Sequence, residues 1–341
     1  MIIVPVSAII TLTFICCGRW LFRKLHLLDR PELYGHQRQA IPYGVGIVFF
    51  LSFLIGSLLW LETSPQLITL LVGGGILTTT CFIDDRCQIP AWLRLLIQLF
   101  CAALIVQSGV HIPAISNPFG DPIVLDGIRW SLELGGFHLN VEPMAATVAI
   151  LWIVFLVNAM NWLDGAPGIV SGISTISCAV IYLLATMKGL HVIDQSQLAN
   201  MALILGGSTF VFLFFDFPKP KVLMGDSGAM FLGLMIAVMA IYSGGKLATA
   251  FIVLAFPLLD AVWTIVRRIV KGQSPLRGDL QHFHHELLRA GLSERQVNLF
   301  YYALSLGFGL STLYLESLGK LIAIIILFGL MVSIRTILAL R

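Results

Sequence analysis

The sequence predicts an all-α polytopic membrane protein of about eleven transmembrane helices, with the N-terminus outside and the C-terminus in the cytoplasm. Three observations predict it. The 341 residues are 58% hydrophobic and 11% charged, with a mean hydropathy of +0.92, far more apolar than a soluble globular chain. The apolar residues fall into runs of about the 20 residues that a helix needs to cross the hydrocarbon core. Lys and Arg are one-sided: with the 23–42 loop inside, only Arg129, Lys188, Lys246 and Lys320 lie outside, four of 21, as the positive-inside rule requires.

The runs lie near 2–22, 43–61, 67–83, 92–110, 144–162, 168–187, 198–215, 227–243, 247–266, 297–315 and 320–339. The first has no small-residue cleavage site after its apolar stretch and reads as a retained helix. None has the alternation of about ten residues that marks a barrel strand. The longest polar stretches, 111–143 and 267–296, are too short to bury a core of their own, so residues 1–341 form a single transmembrane domain. The Gly/Pro-rich stretch 111–143 reads as a small outer hairpin or cap. The net charge of +3 follows from the positive-inside bias and calls for no nucleic-acid partner. Six cysteines without CxxC spacing read as free and mostly structural, with no disulfide framework and no zinc site.

With this topology, five polar stretches fall on the cytoplasmic face: 28–46, 82–94, 158–168, 217–228 and 267–291. In "CFIDDR", Asp84 and Asp85 follow an apolar run with no spacer, and adjacent carboxylates there need a cation, whether a metal, Arg86 or Arg94. A solvated helix end is the competing reading. "NAMNWLDG" sets Asn158, Asn161 and Asp164 three apart, on one face at a helix end before Gly165, where they can hold a metal or polar ligand or serve as a polar stop. In "MGDSG", Asp226 stands between glycines at a helix start, suited to bring a hard cation to an anion, or simply to cap the helix. The trypsin-like reading of GDSG fails for want of a soluble β-barrel.

"QHFHHELLRAG" suggests the zinc-protease helix, but the fourth position after His285 is Arg289. His282, His284 and His285, beside Arg277 and Asp279 and without cysteines, suit a phosphate better than structural zinc. Arg267, Arg268 and Lys271 suit anionic lipid heads.

Taken in order, "DDR", "NAMNWLDG", "MGDSGAMFLG" and "FPLLDAVWTIVRRIVKGQSP" leading into "HFHH" resemble the polyprenyl-phosphate N-acetylhexosamine-1-phosphate transferases, relatives of the phospho-N-acetylmuramoyl-pentapeptide transferase. The resemblance runs from about Asp29 to Leu292. It implies a multi-pass enzyme of the bacterial inner membrane that uses Mg2+, or manganese in its place. The enzyme would move N-acetylhexosamine-1-phosphate, most commonly N-acetylglucosamine-1-phosphate, from a UDP-N-acetylhexosamine to polyprenyl phosphate and release UMP. That is the first membrane step of a cell-envelope glycan such as lipopolysaccharide or teichoic acid. By family motif, Asp84, Asp85, Asp164, His284 and His285 would be catalytic. His36, Arg94, Asn158, Asn161 and His282 would bind substrate, and Asp226 with Asp85 would hold the metal. The chain departs from the family at Pro167, where many members carry a second Asp in Asp-Gly-x-Asp-Gly, and at Gly44 and Gly46, a glycine pair split by Val45. The residues leave a homodimer open. An ion-coupled secondary transporter is the alternative, but such a protein places its acids near the bilayer midplane and shows repeated halves.

Overall fold

A computed structural model describes residues 2–29, 39–134, 137–187, 194–243, 247–273 and 282–340. Its helices are α1 (Ile3–Lys24), α2 (Val45–Trp60), α3 (Pro65–Cys87), α4 (Ala91–Gln107), α5 (Pro143–Leu163), α6 (Ile169–Thr186), α7 (Ser196–Asp216), α8 (Gly225–Tyr242), α9 (Leu247–Val253), α10 (Ala255–Val270), α11 (Phe283–Arg289), α12 (Glu294–Ser311) and α13 (Ser317–Ala339). Among the described residues, α1, α3, α5, α6, α7, α8 and α13 are long and apolar enough to cross a membrane, by length and composition. The apolar helices α2 and α4 are shorter, at 16 and 17 residues. Large apolar side chains such as Leu58, Phe100, Phe214 and Ile325 stand exposed on the outer faces, as they do on helices bathed in lipid.

Local chemistry sets the helix ends. Ser64 caps α3, accepting from the Leu67 N–H at 3.1 Å, with Pro65 at the first helical position, where its missing N–H costs nothing. Ser293 and Gln296 form a reciprocal capping box at α12. The run read as one span over 247–266 is instead two helices, α9 and α10, interrupted at Leu254. Pro257 explains the break: it has no N–H for the Val253 carbonyl, and its ring crowds that oxygen. The stretch between α4 and α5 carries two antiparallel pairs, Ala114–Ile115 with Ile123–Val124 and Trp130–Leu134 with Phe137–Val141.

The hub is α8, buried at every residue from Ser227 to Ile241 and packed on α2, α3, α5, α6, α7 and α9. Its first turn is where the polar stretches meet. A Cβ on Gly46, in the first turn of α2, would lie 2.4 Å from the Ser227 carbonyl carbon, so only glycine allows α2 to seat there. Beside it, the Leu223 N–H donates to the Pro42 carbonyl at 2.8 Å, joining the first polar stretch to the fourth. Between α1 and α7, Thr11 donates to Ser208 at 2.9 Å, the hydroxyl glue expected between membrane helices.

Candidate active site

Asp84 and Asp85 occupy the last turn of α3, and their carboxylates part ways. Asp84, 7% exposed, accepts from the Ile89 N–H at 2.5 Å and from Arg94 Nη1 at 2.5 Å. The first bond closes the turn through Gln88 (φ +52°) that leads to α4. Each Asp84 oxygen therefore has a partner within the protein, so Asp84 is a buried and not a solvated helix-end acid. Asp85 reaches instead to α8, where its oxygens accept from the Asp226 N–H and the Ser227 hydroxyl, both at 3.0 Å. A helix start offers N–H groups with no partner in the helix and a positive dipole end, and here Asp85 takes one of them. Gly225 makes room for it: φ is +71°, and a Cβ there would stand 2.8 Å from Asp85 Oδ2.

Asp226 lies within the first turn of α8, two residues past its N-cap, Met224. Its side chain, 37% exposed, is held by Arg94 Nη1 at 2.9 Å. One guanidinium thus spans Asp84 and Asp226, which satisfies the sequence expectation that a cation stands beside the acids. One turn further along α4, Gln98 exchanges hydrogen bonds with Asn158, whose Nδ2 donates to Gln98 Oε1 at 2.6 Å. Asn158 therefore ties α5 to α4 and does not join the acids. Asn161, one turn on, lies against Asp226, while its Oδ1 is buried with no partner among the described residues. Asp164 caps the C-terminus of α5. Burial, then the nearby Asp216, Asp226 and Asp85, push its carboxyl well above the usual range.

The next residue joins the two halves. A Cβ on Gly165 would fall 2.3 Å from His284 Nε2 and 3.1 Å from His285 Nε2, so the end of α5 rests directly on α11. His284 is completely buried, and neither ring nitrogen has a partner among the described residues. Burial, with His285 and His282 alongside, holds it well below the ordinary histidine range and keeps it neutral. His282 is fixed: its Nδ1 lies 3.0 Å from Asp260 Oδ2, and its ring stacks on Trp162 at 6.2 Å between centroids. The ring of His285 lies 4.1 Å from that of His284.

Sequence reading missed three contributors. Asp260, buried in α10, accepts from His282, from the Phe283 N–H at 3.2 Å and from Arg335 Nη2 at 2.5 Å. Arg335 comes from α13 and lies 3.3 Å from Glu286 as well. Asp216, at the end of α7, holds the turn after Asp164. Asp260 and Arg335 are single charges in apolar runs, the signal by which an intramembrane charge becomes a functional candidate, and Asp216 stands at the edge of the fourth polar stretch. His36, Arg277 and Asp279 lie outside the described residues.

Among the described residues no three His, Cys, Asp or Glu side chains already form a metal-binding cluster. The donor set nevertheless fits magnesium: hard carboxylate oxygens on Asp226 and Asp164 and the orphaned amide oxygen of Asn161. Magnesium keeps several waters and takes only one or two protein carboxylates when substrate phosphates complete its shell.

The Glycosyl transferase family 4 model matches residues 67–244, the stretch that carries Asp84, Asp85, Asp164 and Asp226. The chain is 30% identical over 323 residues, 92% of its length and 84% of the relative's, to a Bacillus subtilis (strain 168) protein named "Probable undecaprenyl-phosphate N-acetylglucosaminyl 1-phosphate transferase". It is 27% identical over 297 residues to the undecaprenyl-phosphate alpha-N-acetylglucosaminyl 1-phosphate transferase of Yersinia pestis, covering 84% of this chain and 76% of that one. With the decaprenyl-phosphate N-acetylglucosaminephosphotransferase of Mycobacterium leprae (strain TN) it shares 30% over 304 residues, 82% of this chain and 72% of the other. A model that matches more than half the chain, over the helices that carry the acids of the site, shows that the protein belongs to glycosyl transferase family 4.

Proposed function

We propose that this protein transfers N-acetylglucosamine-1-phosphate from UDP-N-acetylglucosamine to polyprenyl phosphate, at the cytoplasmic face of a bacterial inner membrane, across which about eleven helical segments pass. The names of its relatives support the reaction. The observation that carries the reading onto these residues is the meeting, across Gly165, of a carboxylate cluster with a buried histidine whose nitrogens have no partner among the described residues. Acids at one end of α3, α5 and α8 suit a charged substrate at the membrane surface better than an ion path through the midplane.

In the reaction a phosphate oxygen of the lipid attacks the donor phosphorus that bears the sugar. The bond from that phosphorus to the bridging oxygen breaks, and UMP leaves with the electron pair. A lipid phosphate is already nucleophilic at neutral pH, so the protein's tasks are alignment and charge placement. Asp226, with Asp164 and Asn161 beside it, would hold magnesium, which when bound neutralises the pyrophosphate charge. Asp85 fixes the start of α8, and Asp84 fixes Arg94. His284, neutral and with one donor and one acceptor nitrogen, binds the phosphates of the donor. His282, oriented by Asp260, backs it with a ring stacked parallel at 6.0 Å between centroids.

Purified protein in detergent, given UDP-N-acetylglucosamine, polyprenyl phosphate and magnesium, should release UMP and form a lipid of the mass of the diphosphate-linked sugar. Omission of either the lipid or the metal should stop both. Consumption of UDP-sugar without a lipid product would sink the reading, and a panel of UDP-sugars decides the donor.

A further inference from the structure

The turn that carries Asp164 into α6 is held from outside. Gly168, the N-cap of α6, has φ +91° and no side chain to cap with, and Pro167 before it carries no acceptor beyond its carbonyl. Asp216, 4% exposed and 48 residues away, supplies one: its Oδ2 accepts from the Gly168 N–H at 2.9 Å and from the Ser171 hydroxyl at 2.7 Å. Helix α12 completes the clamp. Asn298 Nδ2 donates to the Pro167 carbonyl at 2.7 Å, and the Tyr302 hydroxyl donates to the Gly168 carbonyl. A Cβ on Gly168 would lie 2.4 Å from Asn298 Nδ2 and 2.9 Å from Phe217 Cβ, so the clamp closes on backbone. Three residues upstream of this grip, Gly165 rests on His284.

We propose that Asp216 is a positioning residue, a capping carboxylate supplied by α7 that fixes the 164–168 turn and, through it, sets Asp164 and Gly165 against His284. A carboxylate at the start of a helix satisfies free N–H groups and complements the dipole. The usual place for it is in the chain just before the helix, where this sequence has Pro167 and Gly168. The cap comes from α7, so the geometry of the site depends on how α6 and α7 are docked.

The kinetic arm of the test rests on the transfer reading above, and the exchange arm does not. Asp216→Ala should speed hydrogen exchange in the 164–172 segment at least about tenfold, as loss of a helix cap opens the first turn. Asp216→Asn, which keeps an acceptor, should fall between it and the parent. Turnover should drop on the order of ten- to a hundred-fold with the KM for both substrates little changed, since displacement and not binding is at fault. Adding Pro167→Asp to Asp216→Ala returns a carboxylate to the local position, and should bring exchange and turnover back to within about threefold of the Pro167→Asp single variant. Parental exchange in Asp216→Ala would overturn the proposal. So would a kinetic loss that Pro167→Asp leaves untouched. If the parent protein shows no transfer, the function fails while the exchange result still decides the role of Asp216.

Discussion

The acids around α8 and the histidines of α11 face one another across Gly165, yet they use their hydrogen-bonding capacity differently. On the acid side, Asp84 and Asp85 have a protein partner for each oxygen, and Arg94 joins Asp84 to Asp226. On the histidine side, His284 is more deeply buried than any of these acids and has no partner for either nitrogen among the described residues. A buried polar group without a partner is costly, and the proposed donor phosphates would supply one. The difference separates a frame, in which Asp84, Asp85 and Arg94 hold one another, from the groups proposed to receive ligands, His284 on one side and Asp226 with the orphaned Asn161 oxygen on the other. Damage to the frame should appear in stability as well as rate, and damage to these receptor groups in substrate kinetics alone.

The sharpest way to break this contrast is at its most exposed acid. Asp226→Asn keeps the shape and removes the charge, and turnover should fall on the order of 10^2 to 10^3-fold, with a weaker magnesium response. Near-parental turnover would remove Asp226 from the chemistry. Next in size is Gly165→Ala, whose methyl group would sit 2.3 Å from His284 Nε2. A displacement of that order should cost about a hundred-fold, and adding His284→Ala should produce little further loss because both changes act on one contact. Additive losses would show that the α5 end and α11 work independently.

His284→Ala alone tests the receptor side. It should raise the KM for the UDP-sugar or lower turnover by roughly ten- to a hundred-fold, the worth of one charge-assisted hydrogen bond, while the KM for polyprenyl phosphate and the Tm stay put. Arg94→Ala is its counterpart on the frame side. It should lower the Tm by several degrees, because it strands the buried Asp84 at a cost of roughly 1–3 kcal/mol or more. If His284→Ala melts early and Arg94→Ala does not, the two sides have been assigned the wrong way round. The smallest effect is expected at Asp260→Asn, which keeps a hydrogen bond to His282 and weakens its hold on Arg335; a loss of up to about tenfold in turnover fits one weakened charged bond.

Much of this was legible in the residues. The apolar runs predict the long helices, and the polar punctuation predicts which ends carry Asp84, Asp85, Asn161, Asp164 and Asp226, all of which the fold brings to one place. What stayed hidden depends on partners distant in the chain. Asn158 shares a helix face with Asn161 and Asp164, but nothing local says that Gln98 will claim it. Asp260 and Arg335 sit singly in apolar stretches and Asp216 at the edge of a polar one, and their partners appear only when α10 meets α13 and α7 meets α6. The start of α8 looks from sequence suited to bring a cation to an anion, and nothing local says that Asp85, 141 residues away, takes the Asp226 N–H. The break at Leu254 had a local sign in Pro257, which a hydropathy window averages away.

The burial of α8 has a consequence for how the enzyme feels its membrane. Over their most apolar windows, α1 and α13 are only 17% buried and α8 is 83% buried. A change in bilayer thickness presses on helices that touch lipid, which answer by tilting; α1 and α13 are placed to absorb that strain at the rim. Asp226 rides on a helix with almost no lipid contact, and Asp85 bolts α3 to its first turn. Turnover should therefore vary little across vesicles of short and long acyl chains, even where the outer helices change their tilt.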